Sequence, residues 1–398
     1  MMNSVESLFK HIAKLSELRS LGEIFKDSPS TAPNPRIDFP YNKWSLYIRL
    51  IHLLYVPLYT SIISKHFAEF YYIDLFAGSG IGILEPEEVH ADVCTESSIP
   101  IGGSPFIAMC FAVERQFTSF ILVEMNSAKA ALLKKRVKRF CEVASQADLQ
   151  KRYKWCCSSV ARQVTPERVV VYNNDANNVV DKVMKSLEER QRKLIEERRG
   201  GVHAYVFIDP TGMELKRKSL DRILKSSVRT DILELFNTYG VAVQAINVIH
   251  EGHDDKALVE HLGPGWRDLV SEEARKLGKR LEDLKFEDIE EILANYRRQT
   301  YEQAGRRVER IPVRLTVSRH FDMFISSPRT RKGNPYFNAF RSIAKYVEEA
   351  GKRKYESVDE FVRYICTGEL PGLLKYLVDN PEKVMKKYST LRRYGEIS

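Results

Sequence analysis

Five short apolar runs, at 70–75, 119–124, 168–173, 204–209 and 231–236, alternate along this chain with longer segments of helical periodicity. Apolar runs this short, bounded by turn residues, read as strands buried on both faces. Strands that alternate with helices must be joined by crossovers, and the sheet they build is parallel with helices on both sides. The spacing therefore predicts an α/β fold. Ahead of it, Leu8, Ile12, Leu15, Leu18 and Leu21 share one helical face over 4–26. A Pro/Ser/Asn-rich loop follows at 28–35, then a long helix at 43–65. After the fifth run, 256–304 reads as helices. Residues 308–317 and 319–326 read as two adjacent strands with a tight connection, 336–351 as a helix, and the chain from Val358 onward as a helical tail. The expected division is a helical lead and loop at 1–42, a main domain at 43–350 with a helical insertion at about 254–304, and an extension at 351–398.

Composition narrows the partners more than the fold. With 43% hydrophobic and 29% charged residues, the chain is neither collagen-like, nor a disulfide scaffold, nor mostly disordered. Its 62 Lys/Arg against 53 Asp/Glu leave a net charge of +9, which favours a polyanionic partner. The apolar run at 46–63 is interrupted by Arg49 and His52, so no run of about 20 apolar residues exists and no membrane helix is expected. The N-terminal stretch does not suit a secretory signal. Six cysteines form no CxxC pair and no Cys/His cluster has zinc spacing. His250 and His253 lack the zincin spacing too, so no metal is assigned. The expectation is a reducing, cytoplasmic setting.

The sharpest motif is Tyr72-Ile-Asp-Leu-Phe-Ala-Gly-Ser-Gly80. A strand delivers Asp74, and Phe76 and Ala77 lead into a turn in which Gly78 and Gly80 let a ligand approach the backbone. The turn continues Gly80-Ile-Gly82, so the dinucleotide fingerprint GxGxxG fails, and Walker A is absent. At the end of the second run, Glu124 offers two oxygens to a pair of ribose hydroxyls, and Met125 can pack on an adenine face. After the third run, Asp175 and Ala176 follow, with Asp175 read either as an acceptor for an adenine amine or as a member of an Asn/Asp turn. After the fourth, Asp209-Pro210-Thr211-Gly212 places a carboxylate where open α/β sheets bind ligands, beside a proline that restrains the turn. Four such pieces in sheet order say more than any one of them. Ser104, after Gly102-Gly103, is a further candidate for substrate contact.

Two stretches concern partners. Residues 129–168 hold eleven Lys/Arg and three Asp/Glu; residues 297–354 hold fifteen and five. Within the second, Arg329, Arg331, Lys332 and Tyr336 mix cations with an aromatic in a Gly/Pro-bounded loop, suited to phosphates and a stacked base. This loop is expected beside the mouth of the cleft.

The stretches YYIDLFAGSG, GGSPFIAM, FILVEMN, YVFIDPTGMEL and DILELFNTYG resemble the three-Cys-motif partner (TcmP) family, over roughly 43–250. The family resembles class I S-adenosylmethionine-dependent methyltransferases. Five α/β units followed by a short-looped strand pair match their Rossmann-like, mostly parallel seven-stranded sheet, whose last strand is antiparallel; a dehydrogenase sheet would continue with another crossover helix. The resemblance implies S-adenosyl-L-methionine as cofactor, held by Asp74, the glycine turn, Glu124 and Asp175. It implies Asp209 and Pro210 at the amine that accepts the methyl group, and a protein partner with a three-cysteine motif. The DPxG element is also similar to the acid-Pro-Phe-Gly motif of tRNA guanine N2-dimethyltransferases, but Thr211 stands where an aromatic is common. Together these imply N-methylation of a nucleic acid, RNA favoured over DNA. The alternative is a non-catalytic nucleic-acid-binding subunit that keeps the fold. The inserted helices are expected over the substrate side.

Overall fold

The computed structural model describes residues 17–41, 43–84, 99–155, 157–316 and 319–329. The expected helix at 336–351, the tail from Val358, and Arg331, Lys332 and Tyr336 lie outside them.

The described residues begin with α1 (Glu17–Glu23) and β1 (Phe39–Tyr41), then the long helix α2 (Lys43–Ile63). The main sheet starts at β2 (Glu69–Asp74). An excursion through β3 (Ile81–Leu84) and β4 (Ile99–Gly102) precedes α3 (Ser104–Phe111). The alternation continues through β5 (Ser119–Glu124), α4 (Ser127–Ser145), α5 (Ala147–Arg152), β6 (Val169–Asn173), α6 (Ala176–Glu196), β7 (Val202–Ile208), α7 (Arg217–Leu224) and β8 (Arg229–Phe236). Then come α8 (Thr238–Glu251), α9 (Lys256–Leu262), α10 (Trp266–Lys276), α11 (Phe286–Gln303), β9 (Arg306–Thr316) and β10 (Arg319–Pro328).

The main sheet has seven strands in the order β6-β5-β2-β7-β8-β10-β9. All neighbours are parallel except those of β10, which runs antiparallel to both β8 and β9. The five expected strands are therefore present, and the expected pair at the end is present with its second member inserted against β8. This is an α/β fold with a mostly parallel, Rossmann-like sheet.

Alternation along the strands divides the core between two faces. Phe70, Tyr72, Tyr205 and Phe207 point to the side packed by α2, α3 and α4; Ile73, Ala204, Val206 and Ile208 point to the other. The central strand β7, VHAYVFI, is buried along its whole length, as a parallel strand covered on both faces should be. α2 packs the first face with aromatics: Tyr55 and Tyr59 lie 4.9 and 5.3 Å from the Tyr205 ring. Its His52 stacks on Phe207 at 4.4 Å, and burial pushes its pKa well below the ordinary histidine value.

Three features go beyond the strand count. β1, β3 and β4 form a second, three-stranded sheet, with β1 parallel to β3 and β4 antiparallel to it. Residues of the lead, Leu18, Leu21, Ile24 and Phe25, belong to the same core as α2 and α3. Finally, Cys110 of α3 forms a disulfide with Cys157. The reading of the cysteines as reduced is corrected for this pair. Its members stand 47 positions apart, a contact that no local spacing reveals. Among the described residues no helix is long and apolar enough to cross a membrane.

The inserted helices are also placed differently from expectation. α9, α10 and α11 pack against α8 and β9 on the second face, with Leu258, Trp266, Val270, Ile289 and Leu293 in its core. None of them lines the cavity described next. Their apolar residues find partners on the flank of the sheet, so they thicken that layer instead of capping the substrate side.

Candidate functional site

From β2 the chain crosses over to β5 and β6 on one side, and returns through β7 and β8 on the other. Open α/β sheets bind ligands at such a reversal, beyond the carboxyl ends of the strands. A cavity of about 440 Å³ lies here, within the usual range of roughly 300–1,000 Å³ for ligand sites.

The glycine turn forms its floor. Leu75 N–H donates to Phe207 O on β7, and Ala77 N–H to Val123 O on β5, so the turn straddles the two sides. Gly78 and Gly80 have φ of 59° and 87°, in the left-handed region. A Cβ at Gly80 would lie 2.5 Å from the Phe106 ring, whereas one at Gly78 would meet nothing within 4 Å. Gly80 therefore permits packing beneath the turn, and Gly78 leaves open space above it. Phe76, Ala77, Gly78, Gly80 and Ser104 all line the cavity.

Asp74 does not line it. Its carboxylate is fully buried and accepts from Phe76 N–H and the Tyr72 hydroxyl, each at 3.1 Å, and from the Ser104 hydroxyl. Burial raises its pKa to about 6 against these donors. The strand-end acid thus braces the turn from behind.

Across the floor, Glu124 and Met125 line the cavity, and Met125 is 69% exposed. Glu124 Oε1 accepts from Asn126 N–H at 2.7 Å. Asn126 in turn caps α4, accepting from the Ala128 and Lys129 amides. Asp175 and Ala176 also line the cavity. Asp175 caps α6, its Oδ1 accepting from Asn177 N–H at 2.8 Å. The turn reading of this aspartate is therefore met, and its place in the wall leaves it beside whatever the cavity holds.

Asp209, Pro210 and Thr211 form the opposite wall; Gly212 is not part of it. Gly212 N–H donates to Glu214 Oε2 at 2.6 Å, and the Thr211 hydroxyl bonds the other oxygen, so Glu214 ties this turn together. Asp209 is met by a residue the sequence did not point to. Arg49 of α2 donates from Nη2 to Asp209 Oδ2 at 3.0 Å and from Nε to the Tyr41 hydroxyl at 3.1 Å. Burial raises the pKa of Asp209, with Arg49 opposing. It also raises Tyr41. Phe39 of β1 completes the rim, 38% exposed, with the Lys129 ammonium 5.9 Å from its ring centre. Arg49, Tyr41, Phe39 and Lys129 were thus missed. The only local signal was a charge inside an apolar helix, at Arg49.

Arg329, the member of the expected basic loop that falls among the described residues, does not adjoin this cavity. β10 pairs Asp322 with Phe236 and Ser326 with Ile232, so it runs toward the amino ends of the parallel strands. Arg329, exposed just past its end, lies at the opposite edge of the sheet from the cavity. Several described cations of this region are also engaged. Arg297 and Arg306 are buried, Arg306 bonding Thr230 and Ser326, and Arg310 pairs with Asp322 and Glu291. Among the described residues no group of three or more His, Cys, Asp or Glu is placed to hold a metal.

No protein-family model matches this chain, and no curated protein matches it either.

Proposed function

We propose that this chain transfers a methyl group from S-adenosylmethionine to an amino group of a nucleic acid, with RNA favoured over DNA, as a relative of the TcmP-type class I methyltransferases. One observation carries the reading. The sheet has seven strands with the last, β10, alone reversed, as the resemblance to class I methyltransferases implies, and it gathers the glycine turn, Glu124, Asp175 and Asp209 around one cavity. The residues fit the cofactor. Gly78 leaves room above the turn, Lys129 supplies a cation for an acidic group, Glu124 keeps one oxygen for ribose hydroxyls, and exposed Met125 offers an apolar face.

S-adenosylmethionine supplies an electrophilic methyl group on a positively charged sulfur, which a nitrogen lone pair takes up with loss of one proton. The protein's part is alignment, since methyl transfer depends on in-line placement more than on a strong base. Asp209 Oδ1 has no partner among the described residues and is available to accept from one N–H of the incoming amine. Pro210 limits the freedom of that turn.

Engagement of Asp209 by Arg49 favours a second reading, a non-catalytic nucleic-acid-binding subunit. Calorimetry with S-adenosylmethionine and transfer of radiolabelled methyl to total RNA and DNA separate the two. Binding and transfer are expected; binding without transfer supports the second reading, and absence of binding overturns both the cofactor and the activity.

A further inference from the structure

Arg49 and Asp209 stand 160 positions apart and meet in the cavity wall. Arg49 is 9% exposed, held between the rings of Tyr41 and Phe207 at 5.3 and 5.7 Å. A buried ion pair is weak evidence for stability, because desolvation offsets much of the attraction. One built for stability would also have its donors satisfied. Here Nη1 of Arg49 is buried with no hydrogen-bond partner. The pair is better explained by what it does to Asp209: it takes one carboxylate oxygen, Oδ2, and cancels the negative charge of that carboxylate.

We propose that Arg49 is a positioning residue that holds Asp209 by Oδ2, and that the neutral pair so formed restricts the acceptor to an amine uncharged at neutral pH, as on a nucleobase, and excludes an alkylammonium. This rests on the methyl-transfer reading. A nitrogen that takes up a methyl group needs a lone pair, which an ammonium lacks. A lone carboxylate would draw an ammonium in; a carboxylate already paired with a guanidinium does not, and the guanidinium repels a second cation. Oδ1 remains to accept one N–H and fix the amine's orientation. Among the described residues, Arg49 of α2 and Tyr41 of β1 interact with Asp209 directly, Asp74 at the end of β2 faces the same guanidinium, and Glu214 and Lys216 share the cavity wall.

The test uses the full chain, with Arg49→Gln and Arg49→Lys. Titration of the Asp209 carboxyl is followed by carbon-13 NMR, its signal identified by its loss in Asp209→Asn. Its midpoint should rise by about one pH unit or more in Arg49→Gln, and less in Arg49→Lys. Equal midpoints in all three proteins overturn the positioning role without any assay of turnover. Labelled methyl transfer is then measured with total RNA and with poly-L-lysine. The wild type should label RNA and spare poly-L-lysine, and Arg49→Gln should lose RNA labelling by about tenfold or more. Preference for poly-L-lysine, undiminished RNA labelling in Arg49→Gln, or label in neither polymer overturns the acceptor assignment. Failure of S-adenosylhomocysteine to bind the wild type in calorimetry marks instead the failure of the methyl-transfer reading.

Discussion

Glu124 has one oxygen held by the Asn126 amide and lines the cavity with what remains. A hydrogen bond to a charged group contributes about 1.5–3 kcal/mol, so Glu124→Ala should weaken S-adenosylmethionine binding roughly 10- to 150-fold in calorimetry. Unchanged affinity removes Glu124 from the ligand site. Asp74 makes a different prediction, because it is buried behind the turn. Its pKa rises from the ordinary 3.8 to about 6. The folded state therefore holds this proton more tightly than the unfolded chain. The associated stability is present below about pH 4 and is lost as pH rises through 6. Asn cannot titrate, so the stability of the wild type relative to Asp74→Asn should fall by about 2 kcal/mol between pH 4 and pH 7. Urea unfolding at the two pH values measures this, and a difference that does not vary with pH rules it out.

Among the elements, the lead matters more than its place before the sheet suggests. Asp38, just ahead of β1, pairs with Arg136 of α4 at 2.6 and 2.8 Å, both side chains fully buried. The same guanidinium donates to Thr31 O, Ala32 O and Ser79 O, and the Ser79 hydroxyl bonds Asp38. The network clamps the 28–38 loop and β1 onto the glycine turn, which is how Phe39 and Tyr41 reach the cavity. Removing one partner leaves the other charged and uncompensated, so Asp38→Asn or Arg136→Met should each cost about 3–5 kcal/mol in urea unfolding. The double variant Asp38→Asn/Arg136→Met should recover part of that loss. Additive losses would mean that the two residues are not coupled. The lead read as a helix and loop because its anchor is one arginine among the many cations of 129–168.

At the scale of the molecule, the arginines of the closing strand pair, among the described residues, contribute less to a basic surface than their number suggests. Arg297, Arg306 and Arg310 hold the β8–β10–β9 edge and the packing of α11 together, and so offer little to a polyanion. Lys134, Lys135 and Lys138 differ: they are exposed on the outer face of α4, and among the described residues none is in an ion pair. If RNA is the acceptor, replacing all three by Ala should lower the log–log salt dependence of single-strand binding by about two units, at about 0.7 per phosphate contact. An unchanged slope would exclude this face.

Sequence alone determined the five parallel strands, the closing strand pair, the glycine turn and the acids at strand ends. These are local signals: apolar runs have a period and length, and a turn needs residues that tolerate its backbone angles. It also marked Asp175 as a turn former, which the structure places at the cap of α6. Tertiary structure decided what each charge does. Asp74 faces inward because Tyr72 and Ser104 meet it there, and Asp209 is met by Arg49 because α2 packs across β7. Reversal of β10 carries Arg329 away from the cavity, although strand positions alone suggested the opposite. The inserted helices lie on a flank, and Cys110 finds Cys157, for the same reason. Propensity and pattern act over a few residues, whereas pairing of charges, direction of strands and choice of packing surface depend on segments that only folding brings together.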